Sequence, residues 1–371
     1  MPDQGAWATP GFRLPESPPE PAAEPVSARP IVIDRGELLA GDIPLRPLGV
    51  AEMLDAAIAG IRRNPRAVLG TSLIITTIVQ VTLTLGTYFL IGDQASGEIT
   101  PSGLLRLLGA QSLLTVAGLI FTATGVLLLS GLLAPVLGRT LFGLPGTFRL
   151  MRDDTRSSRL RLAGIVIVVM LVTLGGGLLP IVPFALVGLA NGPAGLGVLF
   201  GLIGFPLGFV LMVWLYVLYV LAAPALVLER ATIPQALRRA RQLMRRRWWS
   251  TCGTLLLTVL ITFFMGLIAL RVPFAVAQVV FFGQHPAGAA RVGSIAVDLV
   301  GRILSWTMTM PLDAGVIALL YIDLRMRREG LDLELQTREH QESDFMDLWR
   351  PDPRLVGARA GAPAGPPLMQ R

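Results

Sequence analysis

The chain contains no lysine, a single cysteine and two histidines, and only 15 % of its 371 residues are charged. Each scarcity closes a class of explanation. One cysteine, Cys252, excludes an intramolecular disulfide and any cysteine-based zinc cluster, and its place at the start of an apolar run marks a small packing residue. His285 and His340 stand apart without companion ligands at metal spacing, and no Walker-type glycine loop or nucleophile elbow appears. No enzymatic activity, cofactor or metal is therefore expected. The N-terminus lacks the basic, apolar and small-residue order of a cleavable signal peptide, so the first apolar run is expected to act as the insertion signal. The exclusive use of arginine among 32 basic residues reads as the codon bias of a GC-rich bacterial genome.

What the chain has instead is apolar length. Hydrophobic residues make up 53 % of it and the mean hydropathy is +0.63, well beyond what a globular surface permits. A helix crosses the roughly 30 Å hydrocarbon layer with about 20 apolar residues while satisfying its own backbone polar groups. Six stretches qualify, near 67–91, 110–137, 163–190, 196–228, 250–270 and 303–322. The piece from Pro273 to Phe282 is too short to cross alone and is expected to be interfacial or re-entrant. The fold class expected is an all-α polytopic membrane bundle with six transmembrane helices and added amphipathic helices. Its expected divisions are a disordered Pro-rich cytoplasmic tail over 1–44, the membrane domain over 45–336, and an acidic, then Pro/Gly/Ala-rich disordered tail over 337–371.

Arginine clusters orient the spans, because short basic loops are retained on the cytoplasmic side. Arg62, Arg63 and Arg66 precede the first span; Arg139 to Arg161 fill the loop after the second; Arg230 to Arg247 follow the fourth; Arg325, Arg327 and Arg328 follow the sixth. Both termini are expected in the cytoplasm of a bacterial cell, with the chain in its inner membrane. A faint repeat accompanies this pattern: an amphipathic, Arg-tailed segment before each odd span, and Pro135, Pro224 and Pro311 near the ends of the even ones.

Two amphipathic segments are expected to lie on the inner leaflet. One carries Val50, Met53, Leu54, Ala57, Ile58 and Ile61 on a single stripe; the other carries Ile233, Ala236, Leu237, Ala240, Leu243 and Met244. The second runs into the candidate lipid-headgroup contacts Arg238, Arg239, Arg241, Arg245, Arg246, Arg247, Trp248 and Trp249. At roughly 1 kcal/mol per arginine near an anionic leaflet, the cluster points to anionic lipid as partner. No nucleic-acid module accompanies it. A membrane or envelope protein is a further partner the same face would suit.

Inside the bilayer, Thr77, Gln80, Thr84 and Thr87 fall on one face of the first span, either as helix-to-helix contacts or as the lining of a polar cavity. Gly197, Gly201, Gly204 and Gly208 read as a close-packing surface on the fourth. Gly175-Gly176-Gly177 with Pro180 and Pro183 interrupts the third, as a simple kink or a binding break. Asp298 and Arg302 are placed to pair across one turn, whereas Asp313 has no partner visible in sequence; it is either protonated and hydrogen-bonded or faces an aqueous path.

Two segments bracket the bundle: Arg46-Pro47-Leu48-Gly49-Val50-Ala51-Glu52-Met53-Leu54-Asp55 with Arg62-Arg63-Asn64-Pro65, and Leu319-Leu320-Tyr321-Ile322-Asp323-Leu324-Arg325-Met326-Arg327-Arg328-Glu329-Gly330. Together they resemble the bacterial membrane domain of glycerophosphoryl diester phosphodiesterases, over roughly residues 44–336. The resemblance implies the membrane domain alone, because the chemistry of two-domain relatives belongs to a separate barrel for which this chain has no room. The role expected is a scaffold or accessory factor contacting anionic lipids. The alternatives are a small transporter or channel using Asp313 and the polar face of the first span, and, least favoured, a lipid-modifying enzyme.

Overall fold

The computed structural model describes residues 48–91, 101–141, 148–190, 193–245, 247–283, 286, 288–329 and 349. The tail at 1–44 lies outside the described residues, as does that at 337–371 apart from Trp349. Among the described residues every regular element is a helix. In chain order these are α1 (Val50–Arg63), α2 (Pro65–Ile91), α3 (Pro101–Leu141), α4 (Phe148–Arg156), α5 (Arg159–Leu178), α6 (Val182–Leu189), α7 (Ala194–Tyr219), α8 (Ala222–Leu228), α9 (Ile233–Met244), α10 (Trp248–Phe264), α11 (Val272–Phe282) and α12 (Ala289–Glu329). Six continuous apolar helical stretches are long enough to cross a membrane: Pro65–Leu90, Ala110–Thr140, Arg159–Val187, Gly195–Leu228, Trp248–Phe282 and Ala289–Glu329. The chain is a multi-pass, all-α membrane protein.

The fifth span corrects one expectation. The segment Pro273–Phe282 is no separate interfacial piece, because α10 passes through a π-helical stretch, Met265–Arg271, directly into α11. Pro273 falls where the π-helical stretch joins α11, so the bond its missing N–H cannot make is lost at a place where the helix is already irregular. The third span is also less broken than its composition suggests. Gly175, Gly176 and Gly177 remain helical in α5; only Leu179–Ile181, around Pro180, tightens into a 3₁₀ turn before α6 resumes.

Two of the three glycines, Gly176 and Gly177, pack against α7 instead. A Cβ at Gly208 would collide with the carbonyl oxygen of Gly177, and one at Gly204 would lie 2.5 Å from the carbonyl oxygen of Pro180. Backbone meets backbone there, and only glycine permits that approach. Gly201 faces Phe184 in the same seam, so the α5–α6 arm and α7 close on one another along the glycine face of the fourth span.

The core lies where the three even spans meet. The Pro135 segment of α3, all of α8 around Pro224, and Met310 to Met326 of α12 supply most of the fully buried side chains. Pro311 explains one contact between spans. It has no N–H, so the carbonyl of Thr307, four residues earlier, loses its helix partner. Ser72 Oγ donates to that oxygen from α2 at 3.2 Å, and the Thr76 and Thr307 hydroxyls pair at 2.9 Å.

The amphipathic helices α1 and α9 depart from the expected interfacial placement. Met53, Ala56, Ala57 and Gly60 are buried against the bundle, with the Ala57 methyl seated over Gly315 of α12, while Val50 and Ile58 of the predicted stripe stay exposed. In α9, Ala236, Ala240, Leu243 and Met244 are buried against the ends of the spans at the Arg-rich pole. Their apolar stripes cover protein because the short side chains allow close docking on α12 and its neighbours.

Candidate functional site

Three groups of polar side chains stand out, two at the Arg-rich pole and one within the spans. The first is the exposed rim. Arg238, Arg241, Arg245 and Arg247 are exposed, and Trp249 is 82 % exposed at the first turn of α10. Trp248 is half-buried; it meets Trp249 edge-on, and its Nε1 donates to the carbonyl of Trp214 at 3.3 Å. Arg246 lies outside the described residues.

Arg239 does not belong to that rim. Its Nε donates to Glu229 Oε1 at 2.8 Å and its terminal nitrogens reach Glu329, so it bridges the start of the α8–α9 turn to the end of α12. Tyr321 donates its hydroxyl to Glu229, and Arg325 donates to Glu329 and, at 2.6 Å, to the carbonyl of Trp349. Burial opposes the Arg239 charge, but the carboxylates Glu229 and Glu329 hold its pKa above the ordinary arginine value. Trp349 is 2 % exposed and packs into the core, so this point of the C-terminal tail is seated in the bundle and not free. Arg230, beside Glu229, has φ +50° and is the one non-glycine residue in the left-handed region among the described residues. The turn is held there by the pairs on both sides.

A pattern of latches runs through this pole. Arg139 at the end of α3 grips Asp154 of α4 with a forked pair of bonds at 3.0 Å. Glu229 after α8 grips Arg239 of α9. Asp323 of α12 accepts the N–H of Leu48 at 2.9 Å, and Arg327, itself paired to Asp323, donates to the Leu48 carbonyl at 2.8 Å at the head of α1. Each even span thus fastens the amphipathic helix that opens a unit, and the third fastens the first. The two segments that carry the family resemblance meet at this last latch.

The third group surrounds Asp313 inside the sixth span. Thr262 of α10 donates to Asp313 Oδ1 at 3.0 Å, and Tyr216 of α7 lies within electrostatic reach of the same carboxyl. Asp313 keeps partial exposure. Thr251, Thr254, Thr258 and Thr262 form a buried stripe along α10. Beyond it, Ser305 of α12 donates to the Gly266 carbonyl in the π-helical stretch at 3.0 Å.

Of the predicted first-span residues, Gln80 is 3 % exposed whereas Thr77 and Thr84 are half-buried and Thr87 is exposed. The bonds that tie α2 to α12 come from Ser72 and Thr76, one position around the helix from the predicted face. Asp298 pairs with Arg302 at 2.8 Å and also with Arg271, which the sequence spacing did not reveal. Among the described residues no three His, Cys, Asp or Glu side chains group as a metal site. No protein-family model, curated protein or solved structure matches this chain.

Proposed function

We propose that this protein is a scaffold or accessory factor of the bacterial inner membrane that gathers anionic lipid at its cytoplasmic rim, without catalysing a reaction. One observation carries the reading: Arg238, Arg241, Arg245 and Arg247 stay exposed beside an exposed Trp249, although other arginines of the same pole are paired internally. Guanidinium groups with an indole beside them suit the phosphate and glycerol layer of a leaflet. Cytoplasmic termini follow from placing the Arg-rich pole inside. The likeness to the glycerophosphoryl diester phosphodiesterase membrane domain is part of the same proposal. It is supported by the way its two signature segments join α1 to α12, a closure of the bundle and not a reaction centre.

The test is purification of the full chain in mild detergent followed by native mass spectrometry. Retained anionic lipid, reduced severalfold by the combined change Arg238→Gln, Arg241→Gln, Arg245→Gln and Arg247→Gln, supports the reading. A stoichiometric membrane or envelope protein supports the scaffold role directly. Equal retention of zwitterionic and anionic lipid by both forms overturns it.

A further inference from the structure

We infer that Asp313 is a reversible proton-binding site inside the membrane. The inference goes beyond the lipid reading and does not depend on it. The acids of α12 supply the contrast. Asp298 has Arg271 and Arg302, Asp323 has Arg327 and the Leu48 N–H, and Glu329 has Arg239 and Arg325. Asp313 receives one hydroxyl, that of Thr262, and no cation among the described residues. An ionised carboxylate at that depth is costly without an opposite charge, so the group holds a proton and accepts Thr262 at its other oxygen. Partial exposure leaves the carboxyl reachable from outside the bundle by a small apolar reagent.

The surroundings favour a site over a packing accident. Asp313 follows Pro311 by two residues, where α12 loses a backbone bond, and Thr262 stands three residues before the π-helical stretch. Two spans are therefore irregular beside one carboxyl, the setting in which membrane proteins place ion sites. The facing groups are few. α10 offers threonines and Cys252; α7 offers Tyr216 and Tyr219; α2 offers hydroxyls and Gln80. α1 comes closest, with Ala57 over Gly315, but its Asp55, Arg62 and Arg63 side chains are exposed. α3 offers hydroxyls, Gln111 and Arg139, which Asp154 holds. Glu229 and the charges of α9 meet α12 at Tyr321 and beyond, eight or more residues from Asp313 and about 12 Å or more along the helix. Arg271 of the π-helical stretch is engaged by Asp298. Among the described residues no cation is paired with Asp313.

The test uses the full chain in liposomes and the apolar reagent dicyclohexylcarbodiimide, which adds only to a protonated carboxyl in an apolar setting and leaves an acylurea adduct readable by peptide mass. The expected result is labelling at Asp313 that falls about tenfold over about two pH units as pH rises, the span of one titrating group. Asp298 and Asp323 stay unlabelled throughout. Asp313→Asn abolishes the adduct. Absence of labelling at every pH, labelling independent of pH, or protection by sodium chloride at fixed pH overturns the inference. The first two remove the exchangeable proton, and the third assigns the carboxyl to a metal cation. Lipid retention is read in the separate mass spectrometry experiment, so failure of either proposal is visible alone.

Discussion

Replacing Arg239 separates an internal brace from a lipid contact. The residue lies among arginines that face outward, yet its side chain is 18 % exposed and touches Glu229 and Glu329, themselves 7 % and 19 % exposed. Arg239→Gln leaves Glu229 without its ion pair in a buried setting, while Glu329 keeps Arg325. Breaking a buried pair costs about 3–5 kcal/mol, and the remaining exposure of Arg239 and Glu329 places this change near the lower end, about 3 kcal/mol. Pairing it with Glu229→Gln restores neutrality at the better-buried partner, and glutamine still accepts the Tyr321 hydroxyl. The double variant should therefore recover about 1–2 kcal/mol relative to the sum of the single changes. Equilibrium unfolding in mixed micelles measures the stabilities, and native mass spectrometry measures bound lipid on the same preparations. A variant that keeps wild-type stability but loses anionic lipid refutes the placement of Arg239 inside the bundle.

Other parts of the fold make comparable demands. Gly208→Ala forces α7 away from the Gly177 carbonyl and should cost about 1–3 kcal/mol, whereas Gly175→Ala, whose new methyl meets nothing within 4 Å, should be neutral or stabilising; thermal unfolding compares them. Asp323→Asn removes the charge that Arg327 pairs with and weakens the hold on Leu48, so amide hydrogen exchange across Val50–Arg63 should rise while exchange in α5 stays unchanged. Trp349→Ala should destabilise by about 3 kcal/mol by emptying a filled site in the core, seen as a lower unfolding midpoint.

The spans were legible because twenty apolar residues admit few alternatives in a membrane, and the glycine face of the fourth because small residues at helical spacing permit close approach. The fifth span was cut short at Pro273 because sequence pattern does not register a π-helical stretch that carries a helix into a proline. The polar face of α2 was displaced by one position; Thr77 and Thr84 fit the period as well as Thr76, and only Pro311, in a distant helix, decides which hydroxyls are used. The amphipathic stripes of α1 and α9 mark apolar faces, but much of each covers protein, since periodicity marks an apolar face without naming its cover; Val50 and Ile58 of α1 stay exposed. Arg239 was misplaced for a related reason. Within an arginine-rich loop the telling residue is Glu229, an isolated carboxylate among cations, and the ties from Glu229 to Tyr321 and from Arg239 to Glu329 each span about ninety residues.

The closure between Leu48 and Asp323 orders events during synthesis. A chain made from its N-terminus exposes α1 long before α12 exists, and neither Gly315 nor Arg327 is present to receive it. The seat for the first helix is thus completed only when the last span has been inserted. A truncated or stalled product would display Met53, Ala57 and Gly60 on an undocked helix, a mark of incompleteness. Finished molecules hide that mark, so the latch also serves as a record that all six crossings have been made.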